Sequence, residues 1–237
     1  KAMVLEVSDF DGCMRMRLRL DEHMQSQIFW FGSYSRDIIL LLDRLLEPGY
    51  IVADVGANVG EISLAAARRV GETGKVYSFE PMTTLFSCLV QNAAINQLKQ
   101  LVPVQKGLSA QTGRAVIYAQ DTPFKDGTLH SGLGTLHPFG ERTVPVEEIE
   151  LTTLDQFFGE SSVQKLDLIK IDVEGAEHDV LVGALETLKK HKPYIVLELQ
   201  EETAQSAGNS ADEIRALIES CNYDIYTIGR KAKLTQL

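Results

Sequence analysis

The segment Tyr50-Ile51-Val52-Ala53-Asp54-Val55 runs straight into Gly56-Ala57-Asn58-Val59-Gly60 and then into a helical pattern over residues 62–70. A short apolar run that ends in a glycine turn and a helix is a strand–turn–helix unit. The same unit recurs. Lys75-Val76-Tyr77-Ser78-Phe79 ends at Glu80-Pro81 before a helix through about residue 96, and a third strand is expected over 101–105. Leu166-Asp167-Leu168-Ile169-Lys170-Ile171 ends at Asp172, followed by a helix over 176–190 and the strand Tyr194-Ile195-Val196-Leu197-Glu198. Strands alternating with helices predict an α/β, Rossmann-like, doubly wound and mostly parallel sheet with right-handed crossovers.

Around this core the pattern predicts an N-terminal β-hairpin over residues 3–20, turning at Asp9-Phe10-Asp11-Gly12 and forming a flap within 1–33. A helix over 36–46 follows, with Ile38, Ile39, Leu41, Leu42, Leu45 and Leu46 at helical spacing and Pro48-Gly49 as its stop. The stretch 114–151 breaks the rhythm: its ends read as strand, and its middle carries glycines and histidines. A long insert inside a compact domain is usually functional or mobile. A helix over 211–220 and a late strand over 223–228 complete the chain. A length of 237 residues fits one domain, 1–237, with the core and its insert over 34–237.

Charge narrows the partners. With 33 acidic against 23 basic residues the formal net charge is −10, which disfavours nucleic acid and anionic membranes. Arg15, Arg17 and Arg19 alternate, as the solvated face of a strand does. Cys13, Cys88 and Cys221 are odd in number and widely spaced, without a CxxC pair or nearby His, so no metal site is expected. They read as buried, inert thiols in a reducing, cytoplasmic setting. No apolar run approaches the ~20 residues of a membrane span, and no signal peptide precedes the first strand.

In an open parallel sheet, ligands bind beyond the carboxyl ends of the strands. Gly56 and Gly60 allow a tight turn and close backbone approach there. Glu80, at the end of the second strand, can accept both hydrogen bonds of a ribose diol, a device shared by NAD and S-adenosylmethionine. Asn58 stands where the dinucleotide fingerprint wants a glycine, and Asp54 adds a negative charge unsuited to a pyrophosphate. The charge pattern therefore favours the cationic S-adenosylmethionine, with an NAD-dependent oxidoreductase as the alternative.

The runs Asp54-Val55-Gly56-Ala57-Asn58-Val59-Gly60, Phe79-Glu80-Pro81, Leu151-Thr152-Thr153-Leu154-Asp155 and Ile169-Lys170-Ile171-Asp172-Val173-Glu174-Gly175-Ala176-Glu177 resemble, in order and spacing, the FkbM family of methyltransferases. The likeness spans residues 34–198. It implies a seven-stranded methyltransferase fold, S-adenosylmethionine as donor and a hydroxyl acceptor on a sugar, glycoside or natural product. Carried over by position, Asp54, Gly56, Ala57, Asn58 and Gly60 line the methionine part of the cofactor. Glu80 holds the ribose, Pro81 beside it counts among the cofactor-binding residues, Gly107, Leu108 and Ser109 border the adenine, and Asp172 lies by the transferable methyl.

Candidates to take the acceptor's proton are Asp172, Glu174, His130 and His137, the histidines lying in the insert, which reads as a lid. Glu177 is expected to favour the positive end of the following helix. Tyr34, Ser35 and Arg36 fall where a segment can fold over the carboxylate end of the cofactor. The implied partner is a small-molecule or glycan acceptor. A non-catalytic cofactor-binding protein of the same fold is the remaining alternative.

Overall fold

A computed structural model describes residues 3–120, 123, 127–129, 131–161, 163 and 165–237. The central sheet is built from β3 (Ile51–Val55), β4 (Lys75–Phe79), β5 (Leu101–Val104), β9 (Leu168–Ile171) and β10 (Tyr194–Leu197), all parallel and ordered β10-β9-β3-β4-β5. The order reverses between β3 and β9, so the crevice above their carboxyl ends is the place this topology reserves for a ligand.

Alternation divides the sheet's side chains between two cores. Val52, Val76 and Leu168 face one, with α3 (Glu61–Val70) and α4 (Thr83–Ile95). Ala53, Val55, Tyr77, Phe79, Ile169 and Ile171 face the other, with α5 (Leu154–Glu160), α6 (Glu177–Val182), α7 (Leu185–His191) and α9 (Ala211–Ser220). Asp54 is the register partner of both Ser78 and Lys170, so a row of polar side chains crosses the first face just below the strand ends.

The N-terminal hairpin is present as β1 (Val4–Phe10) and β2 (Met14–Arg19). Met16 and Leu18 of β2 are fully buried in the same core as Leu64 and Leu89, while Arg15 and Arg17 face solvent. The outer edge of β2 is read by amides rather than by another strand. Arg15 N donates to Asn96 Oδ1 (2.8 Å) and Asn96 Nδ2 donates back to Arg15 O (2.6 Å). Arg17 N donates to Asn92 Oδ1 (2.8 Å), and Asn92 Nδ2 also reaches Val59 O (2.9 Å). Residues four apart on a helix and two apart on a strand both repeat at about 6–7 Å, which makes this pairing feasible.

Next to β6 (Gly107–Leu108), which precedes the insert, the insert's ends lie in β7 (Gly113–Ala119) and β8 (Val144–Thr152), in the order β6-β8-β7. Its ends are thus strands, as their composition predicts.

Several expectations need correction. The central sheet has five strands among the described residues, not seven. The late segment forms β11 (Tyr226–Gly229), which pairs with β12 (Lys233–Gln236) outside that sheet. Two contacts with α2 (Arg36–Leu45) hold this second hairpin away: Arg44 Nη1 donates to Ala232 O (2.6 Å), and Lys231 N donates to Asp37 Oδ1 (2.7 Å). The helix expected over 176–190 is two, broken at Gly183-Ala184. Asp155 causes the break: its carboxylate accepts from Glu186 N (3.0 Å) and Thr187 N (2.7 Å) and so starts α7 afresh. Cys13 is exposed at the hairpin turn, not buried, and Cys88 is only partly covered. Helices α1 (His23–Phe31) and α8 (Glu201–Ser206) were not foreseen. Among the described residues no helix is long and apolar enough to cross a membrane.

Candidate functional site

A cavity of ≈ 170 Å³ opens above the carboxyl ends of β3, β4 and β9. Its floor is the turn after β3. Gly56 and Ala57 both donate to Phe79 O (3.0 Å each), folding the turn across β4. Gly56 adopts φ +76°, and a Cβ there would stand 1.9 Å from Asp172 O, so the residue is glycine because the ends of β3 and β9 touch. Asn58 takes φ +52°, and its Oδ1 accepts from Val59 N (2.8 Å), a local bond that suits asparagine to this conformation. Gly60 serves packing instead of ligand approach: a Cβ there would meet Leu64 Cδ1 and Leu89 Cδ1 at 2.8 Å, and the residue does not line the cavity.

Glu80 lies in the cavity wall with only 4% of its surface exposed. Oε2 accepts from Asn58 N and Oε1 from Met82 N, both at 2.9 Å, so two backbone donors fix the carboxylate beside the turn. Burial pushes its pKa up to about 7 despite those donors. A desolvated carboxylate with lone pairs to spare is suited to accept hydroxyl donors from a bound diol.

Asp54 sits beneath the floor, fully buried and outside the cavity lining. Oδ2 accepts from Ser63 Oγ (2.5 Å) on α3, and Oδ1 lies 3.4 Å from Lys170 Nζ. Asp172, by contrast, lines the cavity with its side chain one-third exposed (33%) and 3.3 Å from the same ammonium. Desolvation opposes charge on Lys170, but Asp172 and Asp54 outweigh it and hold the pKa above the ordinary lysine range.

Tyr34 and Ser35 also line the cavity, held there by Glu61, the first residue of α3. Glu61 Oε1 accepts from Tyr34 N (2.6 Å) and from Ser35 N (3.2 Å). Burial raises the Glu61 pKa against the pull of these donors. Arg36 is exposed and does not line the cavity.

The insert forms the roof. Ile117, Leu136, Ile149 and Leu151 give the cavity an apolar side next to Pro81, Met82, Gly107 and Leu108. Ser109 is buried and donates its N–H to Thr152 O (3.0 Å), outside the lining. Two latches fix the roof. Glu22 accepts from Ser131 N (3.0 Å) and Ser131 Oγ (2.7 Å), and Arg142 Nη1 reaches Glu174 Oε2 (2.7 Å) with its guanidinium 5.0 Å from the Phe139 ring centre. Thr135 Oγ1 adds a bond to Glu174 O (2.8 Å). Glu174 has φ +53° and lines the cavity; burial raises its pKa, and Arg142 opposes the rise.

His137 lies outside the cavity lining, and His130 falls outside the described residues. Glu177 does more than favour a helix end: its Oε1 accepts from Gly175 N (3.1 Å) and Val173 N (3.4 Å), bracing the loop that carries Asp172 and Glu174.

Of the expected site residues, Gly56, Ala57, Asn58, Glu80, Pro81, Gly107, Leu108, Asp172 and Glu174 line the cavity, whereas Asp54, Gly60, Ser109 and His137 do not. Lys170, Glu61, Glu198 and Gln200 line it as well, without a sequence expectation for a site role. A signal existed for Lys170: a lysine between Ile169 and Ile171 in a strand otherwise apolar through Leu168. Glu61 gave none, since an acid opening a helix is ordinary.

Residues 54–225 match the family described as "Methyltransferase FkbM domain", which is more than half of the chain. The "AMB antimetabolite synthetase AmbE" of Pseudomonas aeruginosa is 26% identical over 239 residues, covering 89% of this chain but 11% of AmbE. The "31-O-demethyl-FK506 methyltransferase FkbM" of Streptomyces tacrolimicus is 32% identical over 164 residues, covering 58% of this chain and 60% of the relative. Among solved structures, an S-adenosylmethionine-dependent O-methyltransferase of Thermotoga maritima aligns with a TM-score of 0.47 at 11% identity, covering 100% of this chain and 72% of that one.

Proposed function

The chain belongs to the FkbM family of S-adenosylmethionine-dependent methyltransferases, and from that premise we propose that it methylates a hydroxyl group on a sugar, glycoside or natural-product acceptor. The observation that carries the proposal is the pairing, in one cavity, of the buried Glu80 beside a glycine turn with the more open Asp172 at the next strand end. Their environments differ as a cofactor anchor and a reaction-side acid should differ.

In this reading Glu80 accepts the ribose hydroxyls, and the Gly56-Ala57-Asn58 turn borders the methionine part. Pro81, Met82, Gly107 and Leu108 enclose the adenine by apolar packing, with the insert closing over it. When bound, the cofactor supplies a methyl group on a sulfonium, open to in-line attack by an oxygen. Asp172 borders the cofactor at its transferable methyl and orients the acceptor hydroxyl, taking its proton as the methyl passes from sulfur to oxygen. Glu174, committed to Arg142, secures the roof over the acceptor; His137 has no part in this arrangement. The lining acids leave little to attract an anionic polymer, which accords with a small acceptor. Free thiols at Cys13, Cys88 and Cys221 accord with a reducing compartment such as the cytoplasm.

Calorimetric titration with S-adenosylmethionine, S-adenosylhomocysteine and NAD tests the cofactor, and isotopic methyl transfer to a panel of hydroxylated glycosides tests the acceptor. Saturable binding of the first two and label on an acceptor oxygen are expected. Label found on nitrogen, or none on any hydroxyl, would overturn the O-methylation reading.

The raised pKa of Glu80 adds a pH signature. Hydroxyl donors favour the carboxylate, so binding lowers that pKa and releases a proton wherever free Glu80 is protonated. Affinity for S-adenosylhomocysteine should therefore fall as pH drops below about 7, by up to tenfold per unit. Titrations in buffers of different ionisation enthalpy would show the proton leaving. Affinity that stays flat from roughly pH 5.5 to 8 would count against the ribose role.

A further inference from the structure

Lys170 has no part in the chemistry above, yet three parts of the site converge on it. Its strand neighbours Leu168, Ile169 and Ile171 are entirely buried apolar residues, and an ammonium among them bears a desolvation cost that another isoleucine would avoid. The β3–β9 register places it directly beside Asp54, and strand alternation puts Asp172 on the same face. Nζ donates to Gly56 O (3.0 Å) and lies 3.4 Å from Asp54 Oδ1 and 3.3 Å from Asp172 Oδ2. Because Asp54 is itself fixed by Ser63, a continuous polar line runs from α3 to the cavity wall. Asp172 is the member of that line with a partly exposed side chain; Ser63, Asp54 and Lys170 are buried.

We infer that Lys170 is a positioning residue: its one ammonium fixes the Asp172 carboxylate toward the cavity and the Gly56 carbonyl in the turn below, so that the strand end and the cofactor loop keep a single mutual arrangement. It acts through these two groups. The inference rests on the methyltransferase reading above. Apolar residues at this position would pack the strand equally well, but they would leave Asp172 free to swing and the Gly56 carbonyl without this donor, the turn then resting on the bonds of its N–H groups to Phe79 O and Glu80.

The test is a mutant cycle on S-adenosylhomocysteine affinity, measured by calorimetry in an Asp54→Asn background. Removing the ammonium there strands no fully buried carboxylate, and circular dichroism checks each fold. Lys170→Met and Asp172→Asn should each weaken binding, the former about tenfold. The variant carrying both should lose at least fivefold less than the product of the two separate losses, since one residue acts through the other. If Lys170→Met unfolds even in this background, Lys170→Gln carries the same cycle. Losses that multiply independently, or an unchanged affinity on removing the ammonium, would overturn the positioning role. A wild-type protein that binds neither S-adenosylmethionine nor S-adenosylhomocysteine would instead remove the cofactor reading beneath it.

Discussion

Replacing Gly56 by alanine is expected to destabilise the protein by on the order of 4 kcal/mol and to abolish cofactor binding. The added methyl would stand 1.9 Å from Asp172 O and 3.0 Å from its carbonyl carbon, both backbone atoms at the end of a central strand. Backbone in the middle of a sheet cannot yield as a side-chain tip does, so the ends of β3 and β9 would have to part. The residue also sits at φ +76°, where any side chain adds strain of about 1–3 kcal/mol. Gly60 supplies the internal comparison. At φ +98° it carries similar backbone strain, but a methyl there meets the tips of Leu64 and Leu89, which can turn aside. In urea denaturation Gly60→Ala should therefore be the milder variant. If the two cost the same, the contact between the strand ends is not what demands glycine at residue 56.

Glu80→Ala is expected to weaken S-adenosylhomocysteine binding by about 1–3 kcal/mol, roughly five- to 150-fold, through lost charge-assisted hydrogen bonds. It also leaves Asn58 N and Met82 N without their carboxylate acceptor. The free protein offers an independent readout. A carboxyl group with a raised pKa in the folded state binds more protons folded than unfolded between the ordinary value of 4.5 and about 7. Its contribution is fully present below about pH 4.5 and is lost as pH rises through about 7, so stability from this group falls across that window. Glu80→Ala should flatten that part of the stability profile. An unchanged slope together with unchanged affinity in a folded variant would rule out the anchoring role.

What the sequence made legible follows from how local each determinant is. Lys75–Phe79 and Ala211–Ser220 were bounded as observed, because an apolar period and its stop signals lie within a few residues. The broken helix after Gly175 was missed because its break comes from Asp155, some thirty residues earlier, through bonds that no local pattern announces. The late strand was read as strand correctly, but its partner was not, since register is decided by what α2 offers to the hairpin turn. The same division runs through the site. Glu80 and Asp172 were found because strand ends are visible in sequence. Asp54 was found for its position, yet its role changed once Lys170 stood above it; a carboxylate's orientation depends on its cation, and the cation lay more than a hundred residues away.

The amides of Asn92 and Asn96 bear on where this chain can be cut. They give β2 the hydrogen bonds a neighbouring strand would give, from a helix surface, and so tie the hairpin of β1 and β2 to the core by polar contacts as well as by Met16 and Leu18. A version shortened to begin at Asp21 would uncover that apolar face and bare a fully buried asparagine to solvent. Truncation for crystallisation or fusion should therefore keep the hairpin, and a linker to another protein is better attached ahead of Met3 than after the second strand.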